Sequence, residues 1–230
     1  MTALIGILTL ALWVPAGQAY YLELTGNRVS TDTGQLITTG AFSARQGFQI
    51  AWQITGPSPR AALHYEYIIS GADGGALAKT LSHWILEVSN PSAPSDFFNF
   101  NGIQEPYDGQ YLPATWRPKQ GSQGQPGDLY GIKFNSGQDY VKAGNQIYSF
   151  SFDTLRLPVW GDFYAKGSNG VYAYNIGFGT EPDLNTTDFN PWIMVPGAMT
   201  AAPLPGSVLL LGSGLAGLAL VRFRLRRKKA

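Results

Sequence analysis

The sequence predicts an all-β protein, an antiparallel β-sandwich with a jelly-roll-like order and long Pro/Gly-rich loops, followed by a C-terminal transmembrane helix. Three observations lead there. Apolar residues recur at every second position along several stretches while helical periodicity is scarce. Clusters of Gly, Asn, Asp and Pro separate those stretches. The chain holds 28 Gly, 12 Tyr and 12 Phe but only 13% charged residues, a composition suited to pleated strands and tight turns.

The strands follow in order. Ile50, Trp52 and Ile54 share one face, with Gln53 opposite. Leu63, Tyr65, Tyr67 and Ile69 come next, with His64 and Glu66 on the other side. Trp84, Leu86 and Val88 alternate with His83 and Glu87. Tyr130, Ile132 and Phe134 form a further apolar row, as do Tyr148, Phe150 and Phe152 against Ser149, Ser151 and Asp153. Tyr172, Tyr174, Ile176 and Phe178 complete the series against Ala173, Asn175 and Gly177. Half-buried strands without intervening helices bury their apolar faces by packing sheet on sheet. The stretch from Asn90 to Gly127 carries six prolines and little alternation, and reads as long surface loops.

At 230 residues the chain accommodates one domain plus processing segments. Cysteine is absent, which excludes disulfides, thiolate metal sites and a cysteine nucleophile. The net charge of +1 hides a segregation of signs. Arg222, Arg224, Arg226, Arg227, Lys228 and Lys229 crowd the last nine positions, and the rest of the chain sets ten basic residues against fifteen acidic ones. A mildly acidic domain of this kind argues against nucleic acid as a partner.

Both ends read as targeting segments. Thr2 to Val14 is almost wholly apolar, and Ala16 and Ala19 place small residues at a signal-peptidase site, so residues 1–19 form a signal peptide and the mature chain starts at Tyr20. No Lys or Arg precedes the apolar run. At the other end, Pro203-Leu204-Pro205 precedes an apolar helix over about 207–225 and then the basic cluster. Cations on the cytoplasmic side of that membrane helix would leave residues 20–202 outside as the extracellular domain.

The order of Pro motif, Gly- and Leu-rich helix and Arg-rich end over residues 203–230 resembles the PEP-CTERM sorting tail. That resemblance implies an exosortase-like membrane protease or transpeptidase as partner, processing near Pro203 to Pro205, and release to the cell surface or matrix. Leu204 departs from the family, which usually carries Glu between the prolines. Within the domain, Leu81 to Val88, Gly127 to Phe134 and Pro158-Val159-Trp160-Gly161-Asp162-Phe163-Tyr164-Ala165-Lys166 are similar to a group of secreted bacterial proteins that share a phrase close to VWGDFYAK. The likeness implies fold and location and carries no activity.

Candidate chemistry is sparse. The two histidines, His64 and His83, lack a nucleophile elbow or any metal-ligand spacing, so neither a catalytic residue nor a metal centre is assigned and no cofactor is expected. Asp153 and Asp162 near strand ends suit turn capping, with calcium ligation as the alternative. Asp153, Asp162 and Glu181 are also the acids from which a paired-carboxylate polysaccharide hydrolase would be built. Aromatic rings give the leading candidates for ligand contact, because sugars stack their C–H faces on indoles. Trp116, in the Pro-rich stretch, Trp160, and Asp162 beside it are the residues singled out for binding exopolysaccharide. Asn185-Thr186-Thr187 matches a glycosylation acceptor, a pattern that Thr-rich loops also produce.

Overall fold

The computed structural model describes residues 20–43, 46–58, 61–101, 111–118, 123–135, 147–182 and 189–198. The segment 1–19 read as a signal peptide, the Pro203–Pro205 motif, the segment 207–225 with its basic end, and Asn185–Thr187 lie outside the described residues. Among the described residues no helix is long and apolar enough to cross a membrane. The chain divides into two units, 1–198 and 199–230, and the fold below is that of the first.

The strands are β1 (Tyr20–Val29), β2 (Leu36–Thr38), β3 (Gln49–Ser58), β4 (Leu63–Ser70), β5 (Leu81–Glu87), β6 (Phe97–Asn101) and β7 (Ala114–Trp116). They continue with β8 (Leu129–Asn135), β9 (Tyr148–Thr154), β10 (Pro158–Gly161), β11 (Phe163–Gly167), β12 (Tyr172–Asn175) and β13 (Ile193–Pro196). One sheet runs β1-β3-β4-β9-β6, a second β2-β12-β11-β5-β8-β7, and β10 pairs with β13 in a small third sheet. Every pairing is antiparallel. The protein is thus all-β, as the alternation predicts.

The two larger sheets face each other across an aromatic core. The inward rows of β3, β4 and β9 bring Ile50, Tyr65, Tyr67, Phe150 and Phe152 to full burial. Trp84 of β5 meets them from the opposite sheet, its ring centroid 5.3 Å from Tyr67, 5.2 Å from Phe150 and 4.8 Å from Phe134. Such tilted and offset ring pairs add to the apolar burial that drives the sheets together. The buried phenols are satisfied: Tyr65 donates to the Arg156 carbonyl (2.9 Å) and Tyr67 to that of Met194 (2.8 Å).

The structure adds strands that the alternation did not mark, β1, β2, β10, β11 and β13 among them, and it differs from the sequence reading in two further respects. The stretch 90–127 is not loop throughout, since it supplies β6 and β7. Both escape the alternation rule because β7 has only three residues and β6 shifts register between Phe98 and Asn101, where Asn99 adopts a positive φ of 54°. The row Tyr172/Tyr174/Ile176/Phe178 does not face the core either. The strand ends at Asn175, and it is Ala173 and Asn175 that are fully buried between the sheets. Tyr172, Tyr174 and Phe178 pack on the outer face of the six-stranded sheet instead, with Ile85, Leu129, Tyr164 and Trp116. A second apolar cluster on the outer face takes the aromatic row of β12, so the row that looks like the core phase points outward.

Candidate functional site

A cleft of about 890 Å³ opens where the C-terminal end of β5 meets the β10–β13 pair. Its walls are Val159 and Trp160 of β10, Tyr130 of β8 and Val195 of β13, and the carboxylates of Glu87 and Glu181 line it. The strand phase explains the arrangement. Glu87 follows His83 and Ile85 on the outward side of β5, and it stands opposite Gly131, which presents no side chain to cover it.

Gly161 and Asp162, at the centre of the VWGDFYAK phrase, seat Glu87. The Asp162 N–H donates to Glu87 Oε2 (2.6 Å). A Cβ on Gly161 would stand 2.7 Å from that same oxygen and 2.5 Å from Val195 Cγ2, so only glycine lets the carboxylate lie against the backbone. Burial pushes the Glu87 carboxyl up to about 7, held back by the Asp162 N–H bond and reinforced by the neighbouring charges of Asp162 and Glu181.

Asp162 lies behind Glu87, 5% exposed. Its Oδ1 accepts from Asn175 Nδ2 and its Oδ2 from the Gly179 N–H, both at 2.6 Å. Burial also raises its carboxyl, against the pull of those two donors. Asn175 is saturated in turn, donating also to the Pro191 carbonyl (2.7 Å) and accepting from the Phe163 N–H (2.9 Å). Asp162 therefore ties the start of β11 to the turn after β12, and its oxygens face donors of the protein rather than the cleft.

The rim is fixed by a residue that sequence reasoning overlooked. The Arg156 guanidinium is 3% exposed and donates to Asp96 Oδ2 (2.7 Å) and to the carbonyls of Ser89, Pro91 and Gly197 (3.1, 2.7 and 2.8 Å). Ser89 and the following Asn90 line the cleft, so this clamp holds one lip in place. Asp96 is held below the usual carboxylate range: the modest burial that would raise it is outweighed by the Ala93 N–H and by Arg156.

The structure brings together some of the residues singled out from sequence and separates others. Trp160 is in the cleft wall, but its ring is stacked on Phe189 (5.1 Å, 7°), has Arg28 over it at 5.5 Å and meets the edge of Trp52 at 6.2 Å. It acts as a propped wall. Trp116 is elsewhere, half-buried at the end of β7, with Nε1–H donating to the Gly131 carbonyl (2.9 Å) and Lys133 Nζ 5.1 Å from its ring. Of the three acids considered for hydrolysis, Asp162 and Glu181 come near one another with Glu87, while Asp153 is on the outer face of the five-stranded sheet, bonded to His64 Nδ1 and Asn99 Nδ2, each at 2.7 Å. His83 is buried on the outer side of β5, where burial and the nearby Lys133 and Lys166 push its imidazole down to about 3 and keep it neutral. Among the described residues no group of three or more His, Cys, Asp or Glu is placed to hold a metal ion. Glu87 is the site residue that sequence inspection passed over. Its one signal was an acid at the outward phase of a strand whose other outward residues are bulky.

Fold and cleft together describe an antiparallel β-sandwich domain with an aromatic- and carboxylate-lined cleft at a strand end. No family model matches the chain, and no curated protein matches it. Among solved structures the chain is similar to the KRT10-binding region domain of the pneumococcal serine rich repeat protein PsrP. The identity is 10% and the TM-score 0.26, covering 66% of this chain and 90% of that one.

Proposed function

We propose that this chain is an exported protein of the cell envelope, sorted through its C-terminal tail by an exosortase-like enzyme, whose β-domain binds exopolysaccharide in the cleft beside Trp160. The observation that carries the binding reading is the cleft itself. It is large enough for sugar rings, and it combines apolar walls with fixed hydrogen-bonding groups, the usual make-up of a small-ligand site. The three-part order of residues 203–230 supports the sorting reading. A glycan array probed with the full chain tests the first, with retention on a defined set of saccharides expected and blank arrays overturning it. Mass spectrometry of surface material from producing cells tests the second: cleavage near Pro203 to Pro205 is expected, and an intact Arg226 to Lys229 end would refute it.

One observation favours a second reading, a polysaccharide hydrolase. Glu87, whose carboxyl burial pushes up, lines the cleft together with Glu181, and glycoside hydrolysis requires a general acid with a second carboxylate nearby. Release of reducing ends from a bound glycan, abolished in Glu87→Gln, would establish hydrolysis; retention without release leaves binding as the function.

A further inference from the structure

The charged side chains that line the cleft, among the described residues, are acidic. Glu87 and Glu181 line it, Asp162 stands directly behind Glu87, and no Lys or Arg is among the described residues of its wall. The guanidiniums beside the cleft are engaged elsewhere: that of Arg156 is turned into Asp96 and three carbonyls, and that of Arg28, 5.5 Å from the Trp160 ring centroid, donates to the Asn27 and Phe189 carbonyls. The remaining walls are Pro158, Val159, Trp160 and Val195, with the Tyr130 hydroxyl engaged by the Ser92 backbone at 3.2 and 3.3 Å.

This environment discriminates among saccharides by charge. An acidic sugar would bring a further carboxylate beside Glu181 and beside Glu87, whose carboxyl already resists ionisation in this partly desolvated space, and would be disfavoured. A neutral sugar would displace water from Glu87 and return only hydroxyl hydrogen bonds. A protonated amine would offset the buried negative charge and make charge-assisted hydrogen bonds to it. A bare metal ion fits less well, because both Asp162 oxygens are already taken by Asn175 and Gly179 and the cleft is far larger than an ion. A ring-sized body with apolar C–H faces and an ammonium group matches both the walls and the charge.

Resting on the saccharide reading above, we propose that the ligand of this cleft is an amino-sugar polymer bearing free, protonated amines, held by Glu87 and Glu181 against the Trp160 wall. Glu181 is the solvent-side partner and Glu87 the seated one. Selectivity between amine and acetamide is the property they supply.

Fluorescence anisotropy of the full chain with labelled oligomers of β-1,4-linked glucosamine, N-acetylglucosamine and glucose tests this at neutral pH. The glucosamine oligomer is expected to bind about tenfold tighter than the other two, and added salt should shrink that preference. Glu181→Gln, at an exposed position, should erase most of the preference without disturbing the fold, and Glu87→Gln the rest. Equal binding of all three oligomers would overturn the amine assignment while leaving the saccharide reading intact. A preference that survives both substitutions would overturn the assignment to this cleft. No binding of any oligomer by the intact chain would overturn the saccharide reading itself.

Discussion

Burial acts on Glu87 and Asp162 in the same direction, but only Asp162 has both carboxylate oxygens matched by donors. Glu87 relies on one N–H and is pushed from an ordinary value of 4.5 to about 7. A folded-state value above the unfolded one means that the protonated carboxyl is the favoured form in the fold. Its contribution is complete below about 4.5 and disappears as pH rises through about 7. Urea denaturation between those limits should show stability falling with pH by up to about 3 kcal/mol, and Glu87→Gln should flatten that slope. An unchanged slope in the variant would assign the dependence to other groups. Arg156 supports a sharper expectation. Removing a buried guanidinium takes a charged donor from Asp96 and from three carbonyls at once, so Arg156→Ala should cost about 3–5 kcal/mol, read from the denaturation midpoint.

Strands with one clean apolar face were legible because a period of two leaves no second interpretation: β3, β4, β5 and β9 bury the rows that alternation marks, and β8 buries Ile132 and Phe134 of its row. The signal misled where it is short or inverted, and the ten-residue β1 was not marked at all. β7 has three residues, and β12 carries aromatic residues outward onto a second cluster, so its pattern misled about which side is inside. The cleft was less legible than the sheets, because Glu87, Gly161 and Glu181 are brought together from three separate elements. Trp160 and Asp162 could be picked out, but the rings packed on one and the donors saturating the other are set by tertiary structure. At β7 the expected outcome is specific. Trp116 caps a three-residue edge strand, donates to Gly131 and carries Lys133 over its ring. Trp116→Ala should therefore lower stability by about 2–3 kcal/mol, somewhat less than a fully buried ring. Thermal melting and glycan retention on the same sample separate the roles, and an unchanged melting temperature with lost retention would make Trp116 a ligand platform after all.

At the scale of the whole molecule, the sandwich closes on its last described strand. Ile193 and Val195 of β13 are essentially fully buried, the Trp192 side chain is 8% exposed, and β13 is the partner of β10 at the cleft. Just beyond it, the Gly197 N–H donates to the Leu157 carbonyl (2.7 Å) and the Gly197 carbonyl accepts from Arg156 (2.8 Å). The structural requirement thus runs to residue 197, and the division of the chain falls immediately after, between 198 and 199. Two truncations of the mature chain should behave very differently. Ending it at Ala198 should leave the denaturation midpoint within about 0.5 kcal/mol of the full chain, the range of changes that touch no buried feature. Ending it at Trp192 removes two buried aliphatic side chains, each worth roughly 1.5–3 kcal/mol, and strips β10 of its partner and Arg156 of a carbonyl. The shorter form should be unfolded or melt far lower, and the cleft, which needs Val195 for one wall, should go with it. Chemical denaturation of both forms decides the matter: a large loss in the form ending at Ala198 would show that the tail supports the domain, and an unperturbed form ending at Trp192 would show that β13 does not close the sandwich.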